Sequence, residues 1–263
     1  LGDKTLEFIY TPWVHWPETM VSYVPEDRIL FSCGFFGSHI ATTDLYVTDE
    51  GRVLEAAKRY FAEIMMPFRA AIAKNLEKVK EMDVDLIAPS HGPIYNRPVL
   101  IVEACEEWVS GAPKNIAVVA YVSMHGSTEK MVNVLAEALV ERGVRVEQFS
   151  LPVTDIGKLA MALVDAATLV VGTPTVLVGP HPAAVYAAYL ANAIRPKVKF
   201  ATVIGSYGWG TKAVETIAGM IPNLKVEILP PVYCKGHPRE ADFAALRTLA
   251  DTIAAKHAEL GQK

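Results

Sequence analysis

The second half of the chain alternates short β-branched runs with helix-period segments five times in succession, and that alternation admits few folds. Ile116 to Tyr121 reads as a strand, and Gly126 to Glu141 carries Met131, Val134, Leu135, Ala138 and Leu139 at helical spacing. Gly143 stands where a helix C-cap is expected. The pattern recurs as strand Arg145 to Ser150, helix Asp155 to Leu163, strand Thr168 to Gly172, helix Ala183 to Ile194, strand Phe200 to Gly205, helix Thr211 to Met220 and strand Lys225 to Leu229. A last helix, Pro238 to His257, places Phe243, Leu246, Leu249, Ala250 and Ile253 on one face. Five strands alternating with five helices imply a doubly wound, five-stranded parallel α/β sheet.

That sheet accounts for little more than half of 263 residues, so a second domain must precede it. Gly111-Ala112-Pro113-Lys114 marks the boundary, giving domains 1–111 and 114–263. The first is less regular. Strands are expected at Leu6 to Thr11, Met20 to Val24 and Ile29 to Phe31, then a helical stretch from Leu54 to Met82 that Pro67 should break, since proline has no amide to donate. Leu86 to Ala88 reads as a short buried strand running into Pro89-Ser90-His91-Gly92-Pro93.

Composition removes several classes of function. A formal charge of −4 offers no global basic field for nucleic acid or anionic lipid. The uncharged segment Ala166 to Ile194 is interrupted by Gly172, Pro174, Gly179, Pro180 and Pro182, which argues against a membrane span. Three cysteines, Cys33, Cys105 and Cys234, form no C-x-x-C pair, so neither a disulfide framework nor a four-cysteine metal site is written here, and a reducing cytoplasm is the expected compartment. The opening residues, from Leu1, have no initiator Met and no cationic signal start, and read as a chain begun mid-fold.

Three loops follow strands of the parallel sheet and therefore share its carboxyl edge, where open α/β sheets bind ligands. Ser123-Met124-His125-Gly126-Ser127-Thr128 offers hydroxyls, a glycine that admits close backbone approach, and the amides of a helix start, so it could hold a phosphate dianion without a lysine. The same Ser and Thr residues would also serve as ordinary helix caps. Pro174, Thr175, Val176 and Leu177 lie in the loop after the third strand, and Ser206, Tyr207, Gly208, Trp209 and Gly210 in the loop after the fourth. Tyr207 or Trp209 could stack on a flat ring, with Gly208 and Gly210 exposing backbone amides to its edge; the alternative for such aromatics is ordinary surface packing.

With these loops in this order, Lys114 to His257 resembles a flavodoxin, and the resemblance implies FMN in the cleft they form. Ahead of it, His15-Trp16-Pro17-Glu18-Thr19-Met20 and Pro89-Ser90-His91-Gly92-Pro93 resemble the flavodiiron, or A-type flavoprotein, family. Its metallo-β-lactamase-like domain carries two irons and reduces dioxygen or nitric oxide. By that resemblance His15 and His91 are iron ligands. Two departures stand against a complete centre. The family's His-x-Glu-x-Asp-His cluster has no counterpart in the 263 residues, and Gly34 occupies the position of the family's bridging Asp. Two histidines alone cannot hold two irons. Cys33 and Glu18 are conceivable substitutes, though Cys33 reads first as a small buried hydrophobe and Glu18 as a solvated charge.

The resemblance therefore implies an FMN-dependent oxidoreductase of flavodiiron type, fed by a redox donor protein and working as a homodimer. A second class of function is a flavodoxin-like electron-transfer subunit whose lactamase-like half is metal-free, or completed by another polypeptide, and serves for docking. A lactamase-like metallohydrolase is a third reading, and it would leave the flavin domain without a task.

Overall fold

The computed structural model describes residues 2–261. The chain divides into two compact units, Leu1–Gly111 and Ala112–Lys263.

In the first unit β1 (Glu7–Tyr10), β2 (Met20–Val24), β3 (Ile29–Cys33) and β4 (Leu86–Pro89) form a sheet in the order β1-β2-β3-β4, antiparallel except for the β3–β4 pair. The period-2 pleat sends Val21, Tyr23, Leu30 and Ile87 into the core. Phe8, Tyr10, Met20 and Phe31 are exposed, and the register puts them on one face, pairing Phe8 with Ser22, Tyr10 with Met20 and Ser22 with Phe31.

The long helical stretch breaks around Pro67, as the missing amide requires. α1 (Glu50–Tyr60) begins on Asp49, whose Oδ1 accepts from the Arg52 amide at 3.0 Å. The chain then passes through a π turn at Phe61–Met65 and a 3-10 turn at Met66–Phe68 before resuming as α2 (Arg69–Lys80). α3 (Val99–Ser110), for which the sequence pattern predicted nothing, buries Ile101, Cys105 and Trp108.

The second unit is a parallel sheet built on β5 (Lys114–Tyr121), β6 (Arg145–Ser150), β7 (Ala166–Val176) and β9 (Phe200–Tyr207), in the order β9-β7-β5-β6. β7 continues into a tight antiparallel hairpin with β8 (Gly179–Pro180). The expected fifth strand is split by Pro230 and Pro231 into β10 (Glu227–Ile228) and β11 (Val232–Lys235), both parallel to β9, so it runs six residues beyond Leu229. Prolines cannot donate to the ladder, which is why pairing lapses there. The helices are α4 (Ser127–Glu141), α5 (Ile156–Asp165), α6 (Pro182–Ile194), α7 (Ala213–Met220) and α8 (Glu240–Glu259). Covered by helices, the central strands read as continuous apolar runs. α4 and α8 close one side over Val119, Leu135, Leu139, Ile204, Leu246 and Ile253. Among the described residues no helix is long and apolar enough to cross a membrane.

Candidate functional site

The strand order reverses direction between β5 and β7, and a crevice opens beyond their carboxyl ends. It has a volume of about 350 Å³. Its walls are Ser123, Met124, His125, Ser127 and Thr128 after β5; Pro174, Thr175 and Val176 at the end of β7; Ser206, Tyr207 and Gly208 at the end of β9; and Gly236 after β11. Gly126, Leu177, Trp209 and Gly210, expected from the sequence to touch a flavin, are not among its walls. Trp209 is 87% exposed and Leu177 92% exposed. Gly236 lies beyond Leu229, where the sequence pattern ends the fifth strand, and belongs to no loop motif.

The loop after β5 is shaped by its own side chains. Gly126 caps α4 with φ +81, a left-handed conformation that favours glycine, and offers no side-chain cap. Ser123 Oγ takes over, accepting from the amides of Gly126 at 3.1 Å and Glu129 at 3.2 Å. Capping is therefore done from three residues upstream of Gly126, while Ser127 and the buried Thr128, at the opening of α4, wall the crevice, where a helix start favours an anion. Gly172 on β7 allows this close packing: a Cβ there would stand 2.6 Å from Tyr121 Cβ and 3.4 Å from Thr128 Cγ2.

The other two loops are tied together. Thr175 Oγ1 donates to Thr211 Oγ1 at 2.9 Å, the Lys212 amide donates to the Val178 carbonyl at 2.6 Å, and Thr173 Oγ1 accepts from the His181 amide at 2.9 Å. A further element stands beside this loop. His237 Nδ1 lies 3.4 Å from Ser127 Oγ, and Lys130 Nζ lies 3.5 Å from His237 Nε2. Ser127 and Lys130 are three apart on α4, so their common face was legible; the approach of His237 was not.

In the first unit His15 and His91 both turn toward Tyr60. The turn holding His15 is pinned by Thr19, whose Oγ1 accepts from the Trp16 amide at 3.1 Å and donates to the Trp16 carbonyl at 2.8 Å. Ring centroids are 6.4 Å apart for His15 and Tyr60, 4.8 Å for His91 and Tyr60, 4.7 Å for His39 and Tyr60, and 4.9 Å for His39 and His91. His39 and Tyr60 are thus members of the cluster that no spacing argument selected. Burial lowers the His15 pKa; for His91 burial leads and His39 adds to it, favouring neutral imidazole. Burial also pushes the Tyr60 phenol up to about 12, with Cys33 adding. Its hydroxyl and His91 Nδ1 have no hydrogen-bond partner among the described residues.

This chemistry does not amount to a two-metal site. No group of three or more His, Cys, Asp or Glu side chains among the described residues is placed to hold a metal ion. At Gly34 a Cβ would stand 3.0 Å from the Tyr60 hydroxyl and 3.7 Å from His15 Cδ2, so an aromatic side chain crowds the place from which a carboxylate would reach. Glu18 is exposed, as is Cys33, contrary to the expectation of a buried hydrophobe.

Comparison with known proteins places these two units in context. Residues 1–92 match the model of the ODP family beta lactamase, and residues 119–248 that of flavodoxin. The nitric oxide reductase of Moorella thermoacetica is 35% identical over 98% of this chain and 67% of that protein. The chain belongs to the flavodiiron family. Among solved structures, the rubredoxin oxygen:oxidoreductase from Desulfovibrio gigas superposes with a TM-score of 0.93, at 28% identity, over 98% of this chain and 66% of that one. A flavo di-iron protein from Thermotoga maritima gives 0.84 at 26% identity, over 99% of this chain and 65% of that one. The chain spans 58% to 67% of the length of the curated relatives it matches. FMN and a diiron site are the cofactors of this flavodiiron lineage. The crevice fits the first, with neutral donors at a helix start for the phosphate and Tyr207 beside glycine-exposed backbone for the ring. The described residues hold only part of a ligand set for the second.

Proposed function

We propose that this chain is the flavin-bearing body of a flavodiiron-type oxidoreductase, with dioxygen or nitric oxide as the terminal oxidant and a redox donor protein as the source of electrons. The observation that carries the reading is the convergence of three loops, after β5, β7 and β9, on one crevice at the switch point of the sheet. When bound, FMN supplies one- and two-electron chemistry that no side chain offers. The residues do the rest. Ser127, Thr128 and the first amides of α4 hold the phosphate; Ser123 fixes the loop. Tyr207 and Val176 wall the ring, and the Thr175–Thr211 bond keeps the two ring-side loops together. A homodimer in the cytoplasm is the assembly and place we assign.

A second reading is favoured by Gly34 and by the exposed sheet face of Phe8, Tyr10, Met20 and Phe31. Exposed apolar side chains gathered on one sheet face are a candidate contact surface. In this reading the chain is an electron-transfer subunit whose lactamase-like half is metal-free, or is completed by another polypeptide, and docks. The described residues complete no metal site, so no chemical step is assigned to iron here.

One preparation separates the readings. Native protein is assayed for FMN, iron and zinc per chain, for co-purifying polypeptides, and, after anaerobic reduction, for consumption of dioxygen and nitric oxide. FMN with about two irons and oxidant consumption supports the oxidoreductase. FMN with no metal, and activity only with a second polypeptide, supports the subunit. Protein that is colourless and stays so when mixed with FMN overturns both.

A further inference from the structure

The flavin site has one neighbour that neither the sequence motifs nor its walls account for. His237 follows Gly236 in the loop after β11, 110 residues from Ser127 in the chain, yet its ring bridges two residues of α4. Its Nδ1 is 3.4 Å from Ser127 Oγ and its Nε2 is 3.5 Å from Lys130 Nζ.

We propose that His237 is a phosphate-positioning residue, acting on the flavin phosphate through Ser127 and set in one tautomer by Lys130; the inference rests on reading the crevice as the FMN site. An ammonium has three donors and no lone pair, so Nε2 can meet Lys130 only as an acceptor. A neutral ring that accepts at Nε2 carries its proton at Nδ1, and that N–H donates to Ser127 Oγ. A serine hydroxyl whose lone pair is already engaged turns its own proton elsewhere. Ser127 walls the crevice at the first turn of α4, so that proton is free to turn toward a phosphate bound there. A phosphate dianion is an acceptor, so every group in this chain of bonds points its hydrogen toward the ligand. Hydrogen bonds along such a chain polarise one another, and the positive charge at its far end adds to the effect. In this arrangement the atoms that meet the phosphate are neutral donors, and His237 and Lys130 behind them set their direction.

The ligand class that gains is the flavin carrying a terminal phosphate monoester, against riboflavin, which presents the same ring with a hydroxyl. The test titrates the full chain, stripped of flavin, with FMN and with riboflavin, following flavin fluorescence. Expected for His237→Ala is about a tenfold loss of FMN affinity with riboflavin affinity unchanged, the size of one hydrogen bond to a charged group. Lys130→Met should lower FMN affinity in the same direction. His237→Gln, whose amide can still donate to Ser127, should retain most of it. The double variant Ser127→Ala with His237→Ala should bind FMN no more weakly than Ser127→Ala alone, because the histidine acts through the serine. A wild-type ratio of FMN to riboflavin affinity in His237→Ala, or additive losses in the double variant, overturns the inference while leaving the flavin site intact. Wild-type protein that binds neither flavin overturns the reading of the crevice itself.

Discussion

Gly34 and Tyr60 meet so closely that a Cβ on Gly34 would lie 3.0 Å from the tyrosine hydroxyl, which is itself buried without a hydrogen-bond partner among the described residues. A buried, unpaired hydroxyl costs free energy that a phenyl ring of the same shape does not. Tyr60→Phe is therefore expected to raise stability by about 1 kcal/mol. Thermal unfolding of the purified protein checks this. A loss of similar size would mean that the hydroxyl has a partner in the working assembly, and would reopen the question of what the histidine cluster holds.

Gly205 tests how the sheet shapes the crevice. Its Cβ would fall 1.8 Å from the Thr173 carbonyl oxygen, which is backbone and cannot step aside. Gly205→Ala should cost more than about 3 kcal/mol and abolish FMN binding, since it separates β9 from β7 where Thr173 leads into the loop. Gly219, inside α7, is the control: its Cβ meets nothing within 4 Å. Gly219→Ala should stabilise by about 0.5–1 kcal/mol by helix propensity alone, with FMN binding unchanged. Equal behaviour of the two variants in urea unfolding would contradict the packing argument.

The hairpin after β7 turns on Leu177 (φ 47) and Val178 (φ 71), two adjacent left-handed residues of types that disfavour this conformation. Two-residue hairpin turns with positive φ at both positions prefer Asn-Gly. Replacing Leu177 with Asn and Val178 with Gly should raise stability by about 1–2 kcal/mol. FMN affinity should stay within twofold, because neither residue walls the crevice. A fall in affinity beyond that would show that the exposed Leu177 contributes to flavin binding after all.

What could be read from the sequence follows a physical divide. Strands such as Lys114–Tyr121, buried on both faces, and α4 with its apolar stripe announce themselves through periodicity, and the loop motifs fall at the carboxyl edge once the sheet is parallel. α3 lacks the usual boundary signals: no side chain caps its start, no acidic residue stands in its first turn and no basic residue in its last. The split at Pro230 and Pro231 ended the last strand early and took Gly236 and His237 out of view. Tyr60 was invisible for another reason. Its role depends on a contact with Gly34, 26 positions away in the chain, and spacing rules describe only neighbours on one element.

His257 makes a last case, a histidine far in sequence from any motif and almost completely buried near the end of α8. Its Nε2 is 2.7 Å from Thr168 Oγ1 and its Nδ1 is 2.8 Å from Asn115 Oδ1. Asn115 Oδ1 can only accept, so Nδ1 carries the proton and Nε2 accepts from the threonine hydroxyl. Both ring nitrogens are satisfied in the neutral form, and burial pushes the pKa down to about 4 from the ordinary histidine value near 6.5. The unfolded chain binds the proton more readily than the folded one, so stability falls as pH drops. The contribution is fully present above about pH 6.5, declines through the window down to about 4, and is then exhausted. His257→Gln should flatten this part of the profile, and His257→Ala should cost about 2 kcal/mol at neutral pH by removing the partner of Thr168 Oγ1 and of Asn115 Oδ1. Unfolding midpoints measured from pH 8 to pH 4 decide it: a wild-type profile no steeper than that of His257→Gln would show that the folded protein accommodates the charged ring.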